Sequence, residues 1–176
     1  MAITFTFDPR MTPELRAGIG ALWADVSNAG GAVGFTPPVT ADDIRPELIK
    51  LLAAVADGRA RLLVGRNDDG SPVATALLTY NAVRIMRHWC WVHTVMVHPA
   101  LQGRGLGREL MAAVAAEARG TEGVESLRLT CRGGLGLEDF YASCGYREVG
   151  RVPRAIKVAG DDYRDDVTLW LPLQEA

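Results

Sequence analysis

The sequence has few cysteines, no long uninterrupted apolar run and no excess of charge of one sign. Cys90, Cys131 and Cys144 are an odd number without metal-ligand spacing, so we expect reduced thiols rather than a disulfide framework. The first residues show no basic region followed by an apolar block, and no run of about 18 apolar residues occurs. We therefore expect a cytoplasmic protein that is neither exported nor membrane-spanning.

The charge balance argues against a nucleic-acid partner. With 19 basic and 21 acidic side chains, the chain has no global positive field that would attract a polyanion. Its 176 residues suit one domain, spanning 1–176, which would bury roughly 70% of its unfolded surface. A small-molecule partner is favoured, and a homodimer is left open.

The most informative stretch covers residues 95–111. It begins as an apolar strand, is stopped by Pro99, passes through three alternate glycines and becomes a helix. Glycines let the backbone turn sharply and approach a ligand closely, while the first N–H groups of a helix are unpaired at the positive end of its dipole. This stretch predicts an anion site that suits a phosphate group. Its apolar helical positions are Leu106, Leu110, Val114 and Ala118.

These glycines have three other possible interpretations. A dinucleotide fingerprint needs a third glycine where Arg108 stands, and a Walker loop needs a Gly-Lys-Ser/Thr sequence that is absent. The third interpretation is a tight strand-to-helix connection with no ligand, which the glycines alone do not exclude.

The motif Gln102-Gly103-Arg104-Gly105-Leu106-Gly107, together with its entry strand, resembles the acyl-CoA signature of the GNAT superfamily of N-acyltransferases. The resemblance implies acetyl-CoA as co-substrate, with the pyrophosphate held at the glycine turn and the pantetheine arm along the end of the strand. The residues that it implies for binding are Val95, Met96, Val97, Gly103, Arg104, Gly105, Leu106, Gly107 and Arg108.

A second motif, residues 140–146, is similar to the Tyr-x-x-x-Gly-(Phe/Tyr) pattern that closes the last helix in this superfamily. The resemblance implies that Tyr141 protonates the departing coenzyme A thiolate, a role that suits a phenol with a pKa near ~10. The alternative is that Tyr141 is an aromatic core residue.

Many members of the superfamily carry a cofactor-binding asparagine where this chain has Gly134. The N–H groups of the glycine-rich run 133–136 could replace it, or the run is only a flexible connection.

The candidate general base is His93, which stands where many GNAT members carry a glutamate. An imidazole with a pKa near ~6.5 could accept the proton of the amine at neutral pH, and the alternative is a histidine within a core strand. No helix carries Asp, Glu or His at metal-ligand spacing, so we expect no metal ion.

The order of predicted elements indicates an α/β domain with a mixed central sheet of about seven strands and helices on both faces. The GNAT resemblance implies the same order. Thr12 and Thr40 are predicted to cap the first two helices, and the apolar Val33 and Phe35 suggest that the loop 27–38 covers the acceptor side. The predicted strands are 3–7, 60–66, 72–80, 89–97, 126–130, 146–158 and 167–171; helices cover 104–119 and 137–144, and 81–88 is extended.

The sequence thus predicts an N-acetyltransferase that transfers the acetyl group of acetyl-CoA directly to a primary amine of a small molecule or a protein. Two alternatives stay open: an N-acyltransferase that uses another acyl-CoA, and a non-catalytic acyl-CoA-binding module that serves as a sensor. The acceptor is open among polyamines, amino acids, antibiotics and protein N-termini, because acceptor loops carry no transferable signature.

Overall fold

A computed structural model describes residues 2–173 of the chain. Its strands form one seven-stranded sheet in the order β1-β2-β3-β4-β5-β7-β6, in which β4 and β5 are parallel and all other neighbours antiparallel. The predicted mixed α/β sheet is confirmed. The elements are β1 (Thr4–Phe7), α1 (Pro13–Asn28), α2 (Ala41–Ala56), β2 (Ala60–Arg66), β3 (Pro72–Tyr80), β4 (Trp89–Val97), α3 (Leu106–Gly120), β5 (Ser126–Arg132), α4 (Leu137–Ser143), β6 (Arg147–Ala159) and β7 (Asp162–Pro172).

The first two helices begin at the threonines that the sequence predicted. The Thr12 hydroxyl oxygen accepts a hydrogen bond from the Leu15 N–H at 3.2 Å, and Thr40 forms a reciprocal capping box with Asp43. Helices α1 and α2 pack on one face of the sheet and α3 on the other. Among the described residues, no helix is long and apolar enough to cross a membrane. The predicted apolar face of α3 is buried against the sheet: Leu106, Leu110, Val114 and Ala118.

The prediction of an extended segment at 81–88 is wrong. The segment instead contains a 3₁₀ turn at Arg84–Met86, and the Asn81 side-chain amide closes it by donating to the Trp89 carbonyl oxygen at 2.6 Å. Val83 and Ile85 are 54% and 82% exposed, so burial of these apolar side chains does little to hold the segment in a strand. Periodicity alone could not predict this lack of a packing surface.

Smaller differences concern the ends of elements. Helix α3 begins at Leu106 rather than at residue 104, because its N-cap Gly105 adopts a left-handed conformation with φ +87°. A 3₁₀ turn, Pro99–Leu101, follows β4, and β7 begins at Asp162. Neither the turn nor this early start of β7 was predicted.

A bulge interrupts strand β4 in the middle of the sheet. Ala76 of β3 stands opposite two residues of β4, Thr94 and Val95, and Thr94 has a φ of +50°. An extra residue reverses the alternation of side chains along a strand. His93 and Met96, three residues apart, consequently lie on the same face, beneath α1 and α2.

Strands β4 and β5 separate after a short parallel ladder. Their pairing covers three residues of each strand and ends at Trp91 opposite Arg128. Strand β4 continues to Val97 and β5 to Arg132 without further pairing between them. The β4 backbone groups on this side are therefore left without partners from β5, next to an opening in the sheet.

Candidate active site

A cavity of about 640 Å³ occupies this opening, and we call it the glycine-turn cavity. Val95 and Val97 of β4 form one wall, and Phe140 and Tyr141 of α4 contribute another. The remaining lining includes Gly103, Gly105, Gly107 and Arg108 at the start of α3 and residues 29–33 of the α1–α2 loop. The space thus runs from the helix N-terminus to the end of β4, as an elongated phosphate-containing ligand would require.

The glycine turn offers a row of free donors. None of the backbone N–H groups of residues 103–107 donates a hydrogen bond within the described part of the chain, since the first N–H groups bonded in this helix are those of Arg108 and Glu109, both to the Gly105 carbonyl oxygen. Gly103 and Gly105 have φ values of +74° and +87°, which favour glycine. Consecutive unpaired N–H groups at a helix N-terminus attract an anion.

The side chains implied for cofactor binding do not all face this cavity. Met96 is 1% exposed and packs in the core beneath α1 and α2, while Leu106 is 7% exposed in the core beneath α3. Arg104 is exposed and does not line the cavity. Only backbone groups of Met96 and Leu106 could contact a ligand there, whereas Arg108 lines the cavity with its side chain, whose Nε donates to the Ser143 hydroxyl at 3.2 Å.

A second cavity of about 730 Å³ lies on the other side of β4, and we call it the His93 cavity. Trp23, Phe35 and Leu51 from the α1 and α2 side form its apolar wall, and Glu47 and Lys50 also line it. Its lining shares five residues with the glycine-turn cavity: Ala32, Val33, Val95, Thr130 and Tyr141. Two ligands, one in each cavity, would therefore meet beside Tyr141.

Tyr141 lies at the junction of the two cavities. Helix α4 holds its ring edge-on against Phe140 and Tyr146, with ring centroids 5.0 and 5.8 Å away. Burial raises the pKa of the phenol well above its usual value, with a smaller contribution from Cys131 and Cys144. The hydroxyl is therefore fully protonated at neutral pH and can donate a proton to a strong base that forms beside it.

His93 lines the second cavity and stacks on Trp91, with ring centroids 5.4 Å apart and an angle of 23° between the planes. Although the residue is exposed to the cavity, the surrounding protein desolvates the imidazole and lowers its pKa. At neutral pH the ring is consequently neutral and can accept a proton.

Two of the four amides in the glycine-rich run 133–136, which the sequence suggested in place of an asparagine, already have partners within the protein. The Gly133 N–H donates to the Asp165 carbonyl oxygen at 2.9 Å, and the Gly134 N–H donates to the Glu138 carboxylate at 3.1 Å. Both amides are occupied within the protein. They cannot bind a ligand without losing these bonds.

Sequence reasoning missed several lining residues. Thr130 on β5 lines both cavities, and the Gln102 side-chain amide donates to the Val97 carbonyl oxygen at 3.0 Å, which joins the glycine turn to the end of β4. Gln102 could have been found because it stands in the recognised motif. Thr130 carries no sequence signal, because its position depends on where β4 and β5 separate.

The cysteines of the structure are poor nucleophiles. Burial raises the pKa of Cys131, which lines the glycine-turn cavity, to about 12 and that of Cys90 to about 11. Burial also raises the pKa of Cys144. Because the thiolate is the reactive form, these shifts disfavour a nucleophilic role for the cysteines at neutral pH.

Comparisons with known proteins identify the family and the fold of the chain. The family model described as the acetyltransferase (GNAT) family matches residues 34–146, more than half of the chain. The chain belongs to this family. A 71-residue segment is 41% identical to the N-alpha-acetyltransferase RimI of Mycobacterium tuberculosis; it covers 40% of this chain and only 43% of that protein.

Solved structures share the fold over nearly the whole chain. The yncA protein of Salmonella typhimurium, solved with its cofactor acetyl-CoA, superposes with a TM-score of 0.77 at 22% identity, covering 100% of this chain and 96% of that one. The spermidine N-acetyltransferase of Vibrio cholerae, in complex with CoA and spermine, gives a TM-score of 0.73 at 15% identity, covering 97% and 95%. At these identities, the likeness establishes the fold.

Proposed function

We propose that this protein is an N-acetyltransferase that moves the acetyl group of acetyl-CoA directly to a primary amine. The observation that carries the proposal is the row of free N–H groups at residues 103–107, which opens into a cavity that meets a second cavity at Tyr141. Family membership supports the same reaction. The names of RimI and of the spermidine acetyltransferase describe amine acceptors of two different kinds.

In the proposed binding mode, the N–H groups of residues 103–107 hold the pyrophosphate, and Arg108 adds positive charge. The pantetheine arm follows residues 95–97, where the β4 backbone has no partner from β5. The acetyl group then lies near the junction of the cavities. The acceptor amine enters from the His93 cavity.

The chemistry assigns one proton to each of two residues. The nitrogen lone pair of the neutral amine attacks the thioester carbonyl carbon, the C–S bond breaks, and the nitrogen loses its extra proton to the His93 imidazole. Tyr141 donates its hydroxyl proton to the departing thiolate and later regains one from solvent, and His93 releases to solvent the proton that it accepted. No acetylated cysteine is formed, because Cys131 is protonated at neutral pH.

Thiol release tests the proposal. Purified protein is incubated with acetyl-CoA and a panel of primary amines, and free coenzyme A is followed with a thiol reagent. Amine-dependent release supports the transferase, whereas tight binding of acetyl-CoA without release on any amine supports the sensing module. The same assay with propionyl-CoA and hexanoyl-CoA tests the second alternative, since a longer acyl chain would extend into the space proposed for the amine.

A cytoplasmic location is part of the proposal and rests on the three free cysteines. Whether the acceptor amine belongs to a small molecule or to a protein is decided by the amine panel when it includes peptides with free N-termini.

A further inference from the structure

We infer that the His93 cavity selects a primary amine that carries one positive charge on a flat, apolar body. The inference rests on the proposed function, because it assigns the acceptor to this cavity. It adds a substrate class that separates this protein from transferases acting on polycations.

The apolar wall is built from aromatic side chains that are held in place. Trp23 of α1 and Phe35 of the α1–α2 loop meet edge to face, with ring centroids 5.9 Å apart. The Trp23 indole N–H donates to the Val33 carbonyl oxygen at 2.9 Å, which fixes the loop to the helix. A rigid aromatic wall favours a planar apolar ligand, since aromatic pairs contribute beyond the area that they bury.

The charges that line the cavity cancel. Glu47 is its only carboxylate among the described residues, and the Lys50 ammonium lies 2.7 Å from a Glu47 carboxylate oxygen. The His93 imidazole adds no charge at neutral pH, because desolvation lowers its pKa. A ligand with several ammonium groups would therefore lose hydration there without meeting compensating carboxylates.

The reaction strengthens this selection. A monoamine must lose its proton before it attacks the thioester, so it lies against the aromatic wall as a neutral molecule. A polyamine would keep its other charges at that moment and would have to leave them against Trp23, Phe35 and Leu51. The desolvation cost of these remaining charges is therefore highest in the reactive complex.

Three amines test the inference: 2-phenylethylamine, which has one charge and an aromatic body; ethanolamine, with one charge and a polar body; and spermidine, with three charges. We expect kcat/KM to be at least about tenfold higher for 2-phenylethylamine than for the other two, as expected for the burial of one aromatic ring. Equal or higher values for spermidine or ethanolamine would overturn the inference while leaving the transferase proposal intact.

Three variants, one of them a control, locate the effect. Phe35→Ala should lower kcat/KM for 2-phenylethylamine by roughly tenfold and change that for ethanolamine little. Ile49→Ala, on the exposed side of α2 and outside the cavity lining, is the matched control and should change neither. Lys50→Met leaves Glu47 unpaired and should raise kcat/KM for spermidine relative to wild type. A Phe35→Ala effect equal on all three amines would contradict the proposed wall.

A binding measurement distinguishes failure of this inference from failure of the proposed function. If no amine is acetylated, the proposed function fails, and the inference is judged by calorimetry of the three amines on the protein saturated with coenzyme A. Binding of 2-phenylethylamine that Phe35→Ala weakens would uphold the selectivity of the cavity. Absence of binding, or preferential binding of spermidine, would overturn it.

Discussion

The rings of Tyr141 and Tyr146 lie edge to face with centroids 5.8 Å apart, but only Tyr141 reaches the two cavities. Both residues are buried, at 7% and 2% exposure. The Tyr146 hydroxyl is buried without a hydrogen-bond partner in the described part of the chain. Two adjacent phenols thus allow the same substitution to be compared inside and outside the proposed site.

Tyr141→Phe should lower turnover by roughly 10²-fold or more while acetyl-CoA affinity stays nearly unchanged, because the change removes the proposed proton donor and little volume. Tyr146→Phe is the control, and it should leave turnover unchanged and the melting temperature equal or higher, since it removes a buried hydroxyl without a partner. Steady-state kinetics and calorimetry measure both. Equal turnover of wild type and Tyr141→Phe would make Tyr141 a packing residue.

Gly105→Val should abolish measurable coenzyme A binding in a folded protein. A Cβ added at Gly105 meets no atom within 4 Å beyond its chain neighbours, and Gly105 lines the glycine-turn cavity, so we expect the valine to occupy space proposed for the pyrophosphate. Gly70→Val, in the β2–β3 turn, controls for backbone strain because Gly70 has the same φ of +87° and also has open space around it. Calorimetry with coenzyme A should show loss of binding for Gly105→Val alone; similar affinities for both variants would refute the assignment.

The α1–α2 loop should become protected from hydrogen exchange when ligands bind. Residues 29–33 line the glycine-turn cavity, and the loop is tied down by the Asn28 side chain, which bonds both the N–H and the carbonyl oxygen of Val39 at 2.9 and 2.8 Å. Asn28→Ala should speed exchange across 29–39 and raise KM for the amine. If neither coenzyme A nor an amine alters exchange there, the loop is only a connector.

Cys131→Ala should keep turnover within about threefold of wild type, because a thiol that stays protonated is not a nucleophile. Initial rates at varied acetyl-CoA and amine should give intersecting double-reciprocal lines, as a ternary complex requires. Parallel lines, or an acetylated cysteine found by mass spectrometry, would instead demonstrate a covalent intermediate.

Much of the fold could be predicted because its signals are local. The Thr12 and Thr40 caps, strands β2 and β3 and the glycine turn each depend on residues within one turn or strand of one another. The prediction for residues 81–88 is wrong because the structure of this segment does not depend on local signals alone. Whether Ile85 packs depends on a distant surface that its own sequence does not describe.

The candidate site could be predicted only in part. The motifs led to Gly105 and Tyr141 by resemblance, but which side chains face the ligand depends on the bulge at Thr94, which turns Met96 to the opposite face from the glycine-turn cavity. The wall of the second cavity joins Trp23 and Phe35 through a tertiary contact. Residue spacing contains no such information.

The pH profile of turnover should identify the base. His93 acts as a base only when neutral, so activity should fall as the pH drops through its pKa. Because desolvation lowers that pKa below its ordinary value of 6.5, the acidic limb of the wild-type profile should lie below pH 6.5. At neutral pH, protonation of His93 should therefore not limit turnover. His93→Gln should lower turnover and lose this limb when the same amine is used.

His98→Gln is the matched control, because His98 lines neither the glycine-turn cavity nor the His93 cavity. Its profile should retain the limb. Superimposable limbs in wild type and His93→Gln would mean that water or another group takes the proton, and His93 would then serve only as part of the cavity wall.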